Sequence, residues 1–316
     1  MYSSQLEIER FLAPGLAMLE RGHTAEGIDL ITETLTQIRD NTGAQWQDAI
    51  KVIRTMKLFE ISQLCPFTNH SFRKPRGYPG DAILLDWIYR DYRLLISPDP
   101  VSMSASLYRR TTSSPPATAV RWRRRHLANL IDDAAYEVRL PRILSVACGH
   151  LREADLSVAL HRGLVGNLVA LDQDEESLKE VDHRYTARGI PIETVTATIL
   201  DILVGRYKVE DFDLIYSAGL YDYLDERVAR KLTNMLFAGI KPGGRLILSN
   251  FLKETPDLGW TEAIMDWFLI YRDMSQIKAF AVDIPSDQIA SAHTYLCPTR
   301  CIGYLSLRKQ ARVGGA

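Results

Sequence analysis

The sequence predicts an α/β protein, a doubly wound Rossmann-like sheet with an all-helical region ahead of it. Three observations carry that prediction. The run Arg142-Ile143-Leu144-Ser145-Val146-Ala147-Cys148-Gly149-His150 is an apolar strand that breaks into a glycine turn and then a polar, helix-compatible segment. Leu168-Val169-Ala170-Leu171-Asp172 repeats the pattern of a buried parallel strand and ends on an acid. Residues 5 to 65 instead space their apolar side chains as helices do, with no strand among them.

In chain order, Leu6, Ile8, Phe11, Leu12, Leu16 and Leu19 mark a first helix, and Ile28, Leu30, Ile31, Leu35 and Ile38 a second. Asn41-Thr42-Gly43 stops it, and Trp46, Ile50, Ile53, Met56, Phe59 and Leu64 resume the period. Residues 72 to 81 hold too many prolines and glycines for a helix. Residues 82 to 95 turn helical again, with Leu84, Trp87, Ile88 and Tyr92 on the apolar side. Ser113-Ser114-Pro115-Pro116 opens a linking helix over 118 to 136. The expected division is therefore a helical cap or lid over 1–136 and a sheet domain over 137–316. In that domain a third apolar run leads to Ala197-Thr198-Ile199-Leu200-Asp201, residues 212 to 217 form a fourth strand, and 241 to 250 give a turn and a fifth. Residues 260 to 272 read as a helix, and 279 to 284 with 302 to 307 as two terminal strands.

At 316 residues the chain has room for a catalytic domain with a smaller one appended. A net charge of −1 gives no long-range pull toward nucleic acid or an anionic membrane. The run Arg121-Trp122-Arg123-Arg124-Arg125-His126 raises a nucleic-acid patch, but a solvated helix face with one buried tryptophan is the preferred reading. Of four cysteines only Cys297 and Cys301 are close, and without a second pair or a histidine at ligand spacing no metal site is expected. With no apolar stretch of membrane-spanning length and no basic-then-apolar leader at Met1, a cytoplasmic enzyme with reduced thiols is expected.

A glycine turn after the first strand and an acid at the end of the second point to a nucleoside ligand. Gly149 lets backbone approach it, and Asp172 accepts hydrogen bonds from ribose hydroxyls. One glycine where a dinucleotide fingerprint has three argues against a pyrophosphate clamp. Asp174 is a second acid for the same ligand, or a cap for the helix behind it. Asp201 reads the adenine amino group or caps a turn. Arg152 pairs with a ligand carboxylate or lies on the helix surface beside Glu153. Ser217, Tyr221 and Tyr223 follow the fourth strand, at the sheet edge where such folds place reactive centres. Tyr221 is expected to face the ligand and Tyr223 to pack in the core. Ser249 and Asn250 end the fifth strand as candidate polar contacts, and Tyr78, among Arg73, Lys74, Arg76 and Asp81, is a candidate for closing the site.

In this order the sheet segments resemble class I S-adenosylmethionine-dependent methyltransferases, over roughly residues 140 to 308. The resemblance implies a seven-stranded sheet closed by an antiparallel pair, and S-adenosylmethionine as cofactor. Three blocks resemble a narrower bacterial group described as biosynthesis enzymes for the methyl ester of 3-hydroxypalmitic acid: K-P-R-G-Y-P-G-D-A at 74 to 82, A-C-G-H-L-R-E at 147 to 153 and S-A-G-L-Y-D-Y-L at 217 to 224. The implied function is methyl transfer to a small molecule in secondary metabolism. A carboxylate acceptor needs no strong general base. The wider group includes azetidine-2-carboxylate synthases, in which the ligand's own amine displaces methylthioadenosine and no acceptor is needed. Tyr221, Tyr78 and Asn250 are the catalytic candidates in either case. A cofactor-binding sensor or scaffold is the non-enzymatic alternative, and a nucleic-acid methyltransferase ranks behind all of these.

Overall fold

The computed structural model describes residues 5–89, 99 and 101–311. They form two compact units, which divide within one long helix. The first holds the residues up to Val120 together with Thr255–Phe268, and the second holds Arg121–Glu254 and Leu269 onward.

The first unit is all helical. α1 (Gln5–Glu20) and α2 (Thr24–Thr42) form an antiparallel pair that buries Ile8, Leu12 and Leu19 with Ile28, Ile31, Leu35 and Ile38. Gly43 ends α2 at positive φ, where the sequence places the stop. α3 (Trp46–Ile53), α4 (Lys57–Ser62), α5 (Pro66–Arg73), α6 (Ala82–Tyr89) and α7 (Met103–Thr112) follow. The rest of the helix expected over 82 to 95, with Tyr92, lies outside the described residues. The proline-glycine stretch after α5 is a chain of turns, as its composition predicts. His70 Nε2 bonds the fully buried Asp81 carboxylate at 2.7 Å across this stretch, and Asp81 in turn accepts the Leu84 N–H at 2.9 Å at the start of α6.

Residues 255–268 return to this unit although the sheet domain surrounds them in sequence. Glu262, 4% exposed, accepts from Arg39 Nε at 2.8 Å, Arg39 Nη2 at 2.9 Å and Trp46 Nε1 at 2.7 Å. The helix expected over 260 to 272 is shorter than predicted, an α13 of Leu258–Ala263. Beyond it the chain turns at 264–265 and forms no further helix up to 272, and Leu252 and Arg272 pair as an isolated bridge. The Ile270 N–H donates to the Asp222 carbonyl at 2.7 Å and the Arg272 N–H to Phe251 at 3.1 Å. Backbone pairing to the sheet thus overrides a helical apolar period.

The long helix is α8 (Pro115–Glu137). The second unit then builds β1 (Arg142–Val146), α9 (Val158–His161), β2 (Asn167–Asp172), α10 (Glu175–Arg184), β3 (Ile192–Thr196), α11 (Ile199–Leu203), β4 (Phe212–Ala218), α12 (Glu226–Ala238), β5 (Ile240–Phe251), α14 (Met274–Lys278), β6 (Ile289–Leu296) and β7 (Ile302–Lys309). The seven strands lie in the order β3-β2-β1-β4-β5-β7-β6, parallel except that β7 is antiparallel to both neighbours. This is the doubly wound sheet that the sequence predicts, with the antiparallel closing pair that the family resemblance implies. Alternate residues bury Leu144, Val146, Val169, Leu171, Ile215, Leu246 and Leu248 against Leu232, Leu236 and Phe237 of α12.

One terminal strand differs from expectation. Residues 279 to 284 continue α14 as tight helical turns, because Ile277, Phe280 and Ile284 recur at helical spacing and are the buried ones, while Val282 is 62% exposed. The strand is β6 instead, whose Ala, Ser and Thr content gives little apolar alternation to read.

Candidate functional site

The carboxyl ends of β1, β2, β4 and β5 form one edge of the sheet, where a doubly wound domain binds its ligand. The loop after β1 places Ala147, Gly149 and Leu151 at φ of 56°, 53° and 51°. Two of these are not glycine, and such left-handed backbone is costly unless the surroundings hold it. Here they do. The Gly149 N–H donates to Asp172 Oδ2 at 2.8 Å, and Cys148 N–H to the Leu171 carbonyl at 3.1 Å, so the turn is fastened to the end of β2.

Asp172 is 7% exposed and also accepts the Asp174 N–H at 2.9 Å through Oδ1. Burial pushes its carboxyl above the usual range, and the backbone donors of Asp174 and Gly149 pull it back toward ionisation. Gly149 and Asp172 therefore sit together. Asp174 is the N-cap of α10, accepting the Glu176 N–H at 3.1 Å and the Ser177 hydroxyl at 2.8 Å. Asp201 forms a capping box with Thr198 at the start of α11 and pairs with Arg206 at 2.9 Å, so its carboxylate is engaged locally. Arg152, 7% exposed, donates Nη2 to Glu180 of α10 at 2.8 Å. Ser217 Oγ donates to the Val146 carbonyl at 3.0 Å and joins β4 to β1.

The two tyrosines after β4 exchange the roles expected of them. Tyr221 is fully buried; its hydroxyl hydrogen-bonds Thr233 at 3.0 Å and its ring packs 5.0 Å from Phe280, while Tyr223 is 41% exposed. The short turn Tyr221–Tyr223 decides this, because it turns the first residue toward α12. Asn250 is likewise a framework residue. Its amide donates to the carbonyls of Phe251 at 2.8 Å and Ile270 at 2.9 Å, and its Oδ1 accepts Arg272 Nη1 at 2.6 Å. Arg272 Nη1 also donates to the Tyr221 carbonyl at 2.8 Å, so the turn is held by a buried guanidinium. Neither the Tyr221 hydroxyl nor the Asn250 amide is placed for chemistry. Tyr78 belongs to the helical unit, half-buried in the turns after α5.

Sequence reading missed a buried charged group at these strand ends. Arg123 of α8 is 4% exposed, and Gly219, at φ 98°, leaves space for it: a Cβ there would lie 3.2 Å from Arg123 Nη1. Glu153, 7% exposed, accepts the Tyr216 hydroxyl at 2.8 Å. Asp222, 2% exposed, accepts the Phe251 N–H at 2.6 Å. Burial lifts both carboxyls, Asp222 to about 6, against the attraction of Arg123. The basic run is accordingly not a solvated face. Trp122 stacks on His126 at 4.6 Å, Arg124 pairs with Asp155 at 3.0 Å, and Arg123 is inside. The helical period over 121 to 126 could have shown Arg123 on the side of the helix that includes Leu127 and Val120, which are buried, but nothing local shows that a glycine in β4's loop makes room for it.

Burial and the Asp172 and Glu153 carboxylates push the Cys148 thiol well above its usual range, so it is no nucleophile at neutral pH. Among the described residues no three histidine, cysteine or acidic side chains are grouped to hold a metal ion, and no helix is long and apolar enough to cross a membrane.

Residues 143–244 match the family described as Methyltransferase domain. The fold is shared with a possible exported protein of Bordetella parapertussis, with a TM-score of 0.59 at 19% identity over 73% of this chain and 80% of that one. The N-methyltransferase NodS from Bradyrhizobium japonicum WM9 aligns with a TM-score of 0.44 at 16% identity, over 61% of this chain and 97% of that one. The magnesium protoporphyrin IX methyltransferase ChlM from Synechocystis PCC 6803 aligns with a TM-score of 0.44 at 14% identity, over 61% and 83%. No curated protein sequence matches the chain. The second unit has the Rossmann-like methyltransferase fold.

Proposed function

We propose that the protein is an S-adenosylmethionine-dependent enzyme of secondary metabolism that transfers a methyl group to a small-molecule acceptor, with carboxylates the favoured class. The observation that carries this reading is the bond from Gly149 to Asp172, which joins the β1 turn and the β2 end. The match of residues 143–244 to a methyltransferase domain supports it. When bound, the cofactor supplies a methyl group made electrophilic by its sulfonium.

The donor set suits that cofactor. Asp172 holds an acceptor carboxylate at the end of β2, and Gly149 presents backbone without a side chain. Ser249 Oγ is buried with no hydrogen-bond partner among the described residues, at the β5 position paired with Ala218 of β4. Such an atom costs about 1 to 3 kcal/mol unless a ligand satisfies it. The chain's task is to bind, dehydrate and align, and alignment alone supplies roughly 7 to 11 kcal/mol of a displacement barrier. A carboxylate acceptor arrives ionised at neutral pH and asks for no general base.

The test is mass spectrometry of the purified protein with S-adenosylmethionine, alone and with a panel of small carboxylic acids. S-adenosylhomocysteine and a methyl ester formed only with an acid present are the expected products. Methylthioadenosine released above its spontaneous rate from the cofactor alone would identify intramolecular displacement instead.

A further inference from the structure

The sheet ends in two edge strands that differ in how they meet solvent. β3 is five residues long, follows Pro191 and carries the exposed Glu193, so its length and charge both discourage another strand from pairing with it. β6 has neither safeguard. It runs eight residues, Ile289–Leu296, with no lysine, arginine, aspartate or glutamate, and Ala292, His293 and Thr294 are exposed in succession.

The pairing of β6 with β7 fixes where its backbone groups point. The Cys297 N–H donates to the Ile302 carbonyl at 2.9 Å, and these two residues continue the register of Tyr295 with Tyr304 and His293 with Ser306. Backbone groups alternate along an antiparallel ladder, so Tyr295 and His293 face β7 while Ala292, Thr294 and Leu296 aim N–H and C=O outward. Among the described residues none bonds those outward groups.

A second copy of β6 fits this edge in one register. About a two-fold axis at Thr294, Thr294 faces its own counterpart and Ala292 faces Leu296 of the other copy, so all three residues exchange backbone hydrogen bonds. Sliding either way sets Leu296 opposite Ala290, in the bulge, or Ala292 opposite Pro298, which has no N–H. The side chains agree with that register. Threonine meets threonine, alanine meets leucine and His293 meets Tyr295, with no like charges directly opposed. Tyr295 is already fixed, its hydroxyl bonded to His126 Nε2 at 2.8 Å and its ring stacked on Tyr304 at 5.0 Å, so it has little freedom left to lose on association.

We propose that two copies of the protein associate through β6, antiparallel about Thr294, so that their sheets join into one. Such pairing closes on itself and leaves no free β6 edge.

Light scattering behind gel filtration, over a series of protein concentrations, tests this. The wild type should show twice the mass of the chain when concentrated and move toward the monomer on dilution. Thr294→Pro removes only an outward N–H, a change that an edge strand accommodates, and should raise the dissociation constant at least about tenfold while circular dichroism of the dilute protein stays that of the wild type. Thr294→Lys sets two ammonium groups face to face at the axis and should do the same, with salt restoring part of the pairing. Thr294→Val should still dimerise. Amide hydrogen exchange keeps the test open should the proline variant not fold: Ala292, Thr294 and Leu296 should be protected in the concentrated wild type and exchange freely in the dilute protein. A wild type that stays monomeric at every concentration, or a dimer that Thr294→Pro and Thr294→Lys both leave intact, overturns the inference. So does protection of these amides in the monomer, since a segment of the chain itself would then cover the edge.

Discussion

Asp172 Oδ2 accepts the Gly149 N–H at 2.8 Å, so the carboxylate that ends β2 also holds the left-handed turn that ends β1. The sequence places these residues on separate strands, and the parallel pairing of Val146 with Leu171 brings them into register. One side chain thereby shapes the loop and faces the proposed ribose.

Asp172→Ala should lower affinity for S-adenosylhomocysteine by about 1.5 to 3 kcal/mol, the worth of hydrogen bonds to a charged group. Titration calorimetry checks this, and an unchanged isotherm removes Asp172 from the site.

Tyr221→Phe should keep turnover within about twofold and cost about 0.5 to 1.5 kcal/mol of stability, because the hydroxyl bonds Thr233 inside the core. Urea denaturation with initial rates on the same preparation decides the matter. A large loss of rate at full stability would restore a chemical role to the hydroxyl.

Two buried groups should give opposing pH dependences of stability. Asp222 titrates at about 6 in the fold against an ordinary 3.8, so the folded state holds an extra proton between those values and this contribution declines as pH rises from about 4 to 6. Burial drops His126 from 6.5 to about 4, so its contribution declines as pH falls through that range. Asp222→Asn should therefore leave a protein that weakens more steeply on acidification between pH 6.5 and 4, and His126→Phe one that weakens as pH rises from 4 to 6. Urea midpoints measured across pH 4 to 7 test both, and profiles parallel to the wild type contradict them.

The sequence by itself determined the sheet. Parallel strands buried on both faces read as continuous apolar runs, which is why β1, β2, β4 and β5 are visible without coordinates, as are Gly149 and Asp172 where their runs end. It could not show β6, whose small and polar residues carry no alternation, or that the helix stops at Ala263, because backbone bonds from Ile270 to Asp222 and from Arg272 to Phe251 take the chain elsewhere. Tertiary structure alone decided which polar side chains face the strand ends. Tyr221 and Tyr223 differ by two positions in one turn, and only packing against α12 buries the first. Asp201 is engaged by its own helix cap and Arg152 by Glu180 of α10, whereas Arg123 reaches the β4 end from α8 through space that Gly219 leaves open. Periodicity records which residues are buried against their own element's neighbours; it holds no information on which distant side chains a fold brings to the same point.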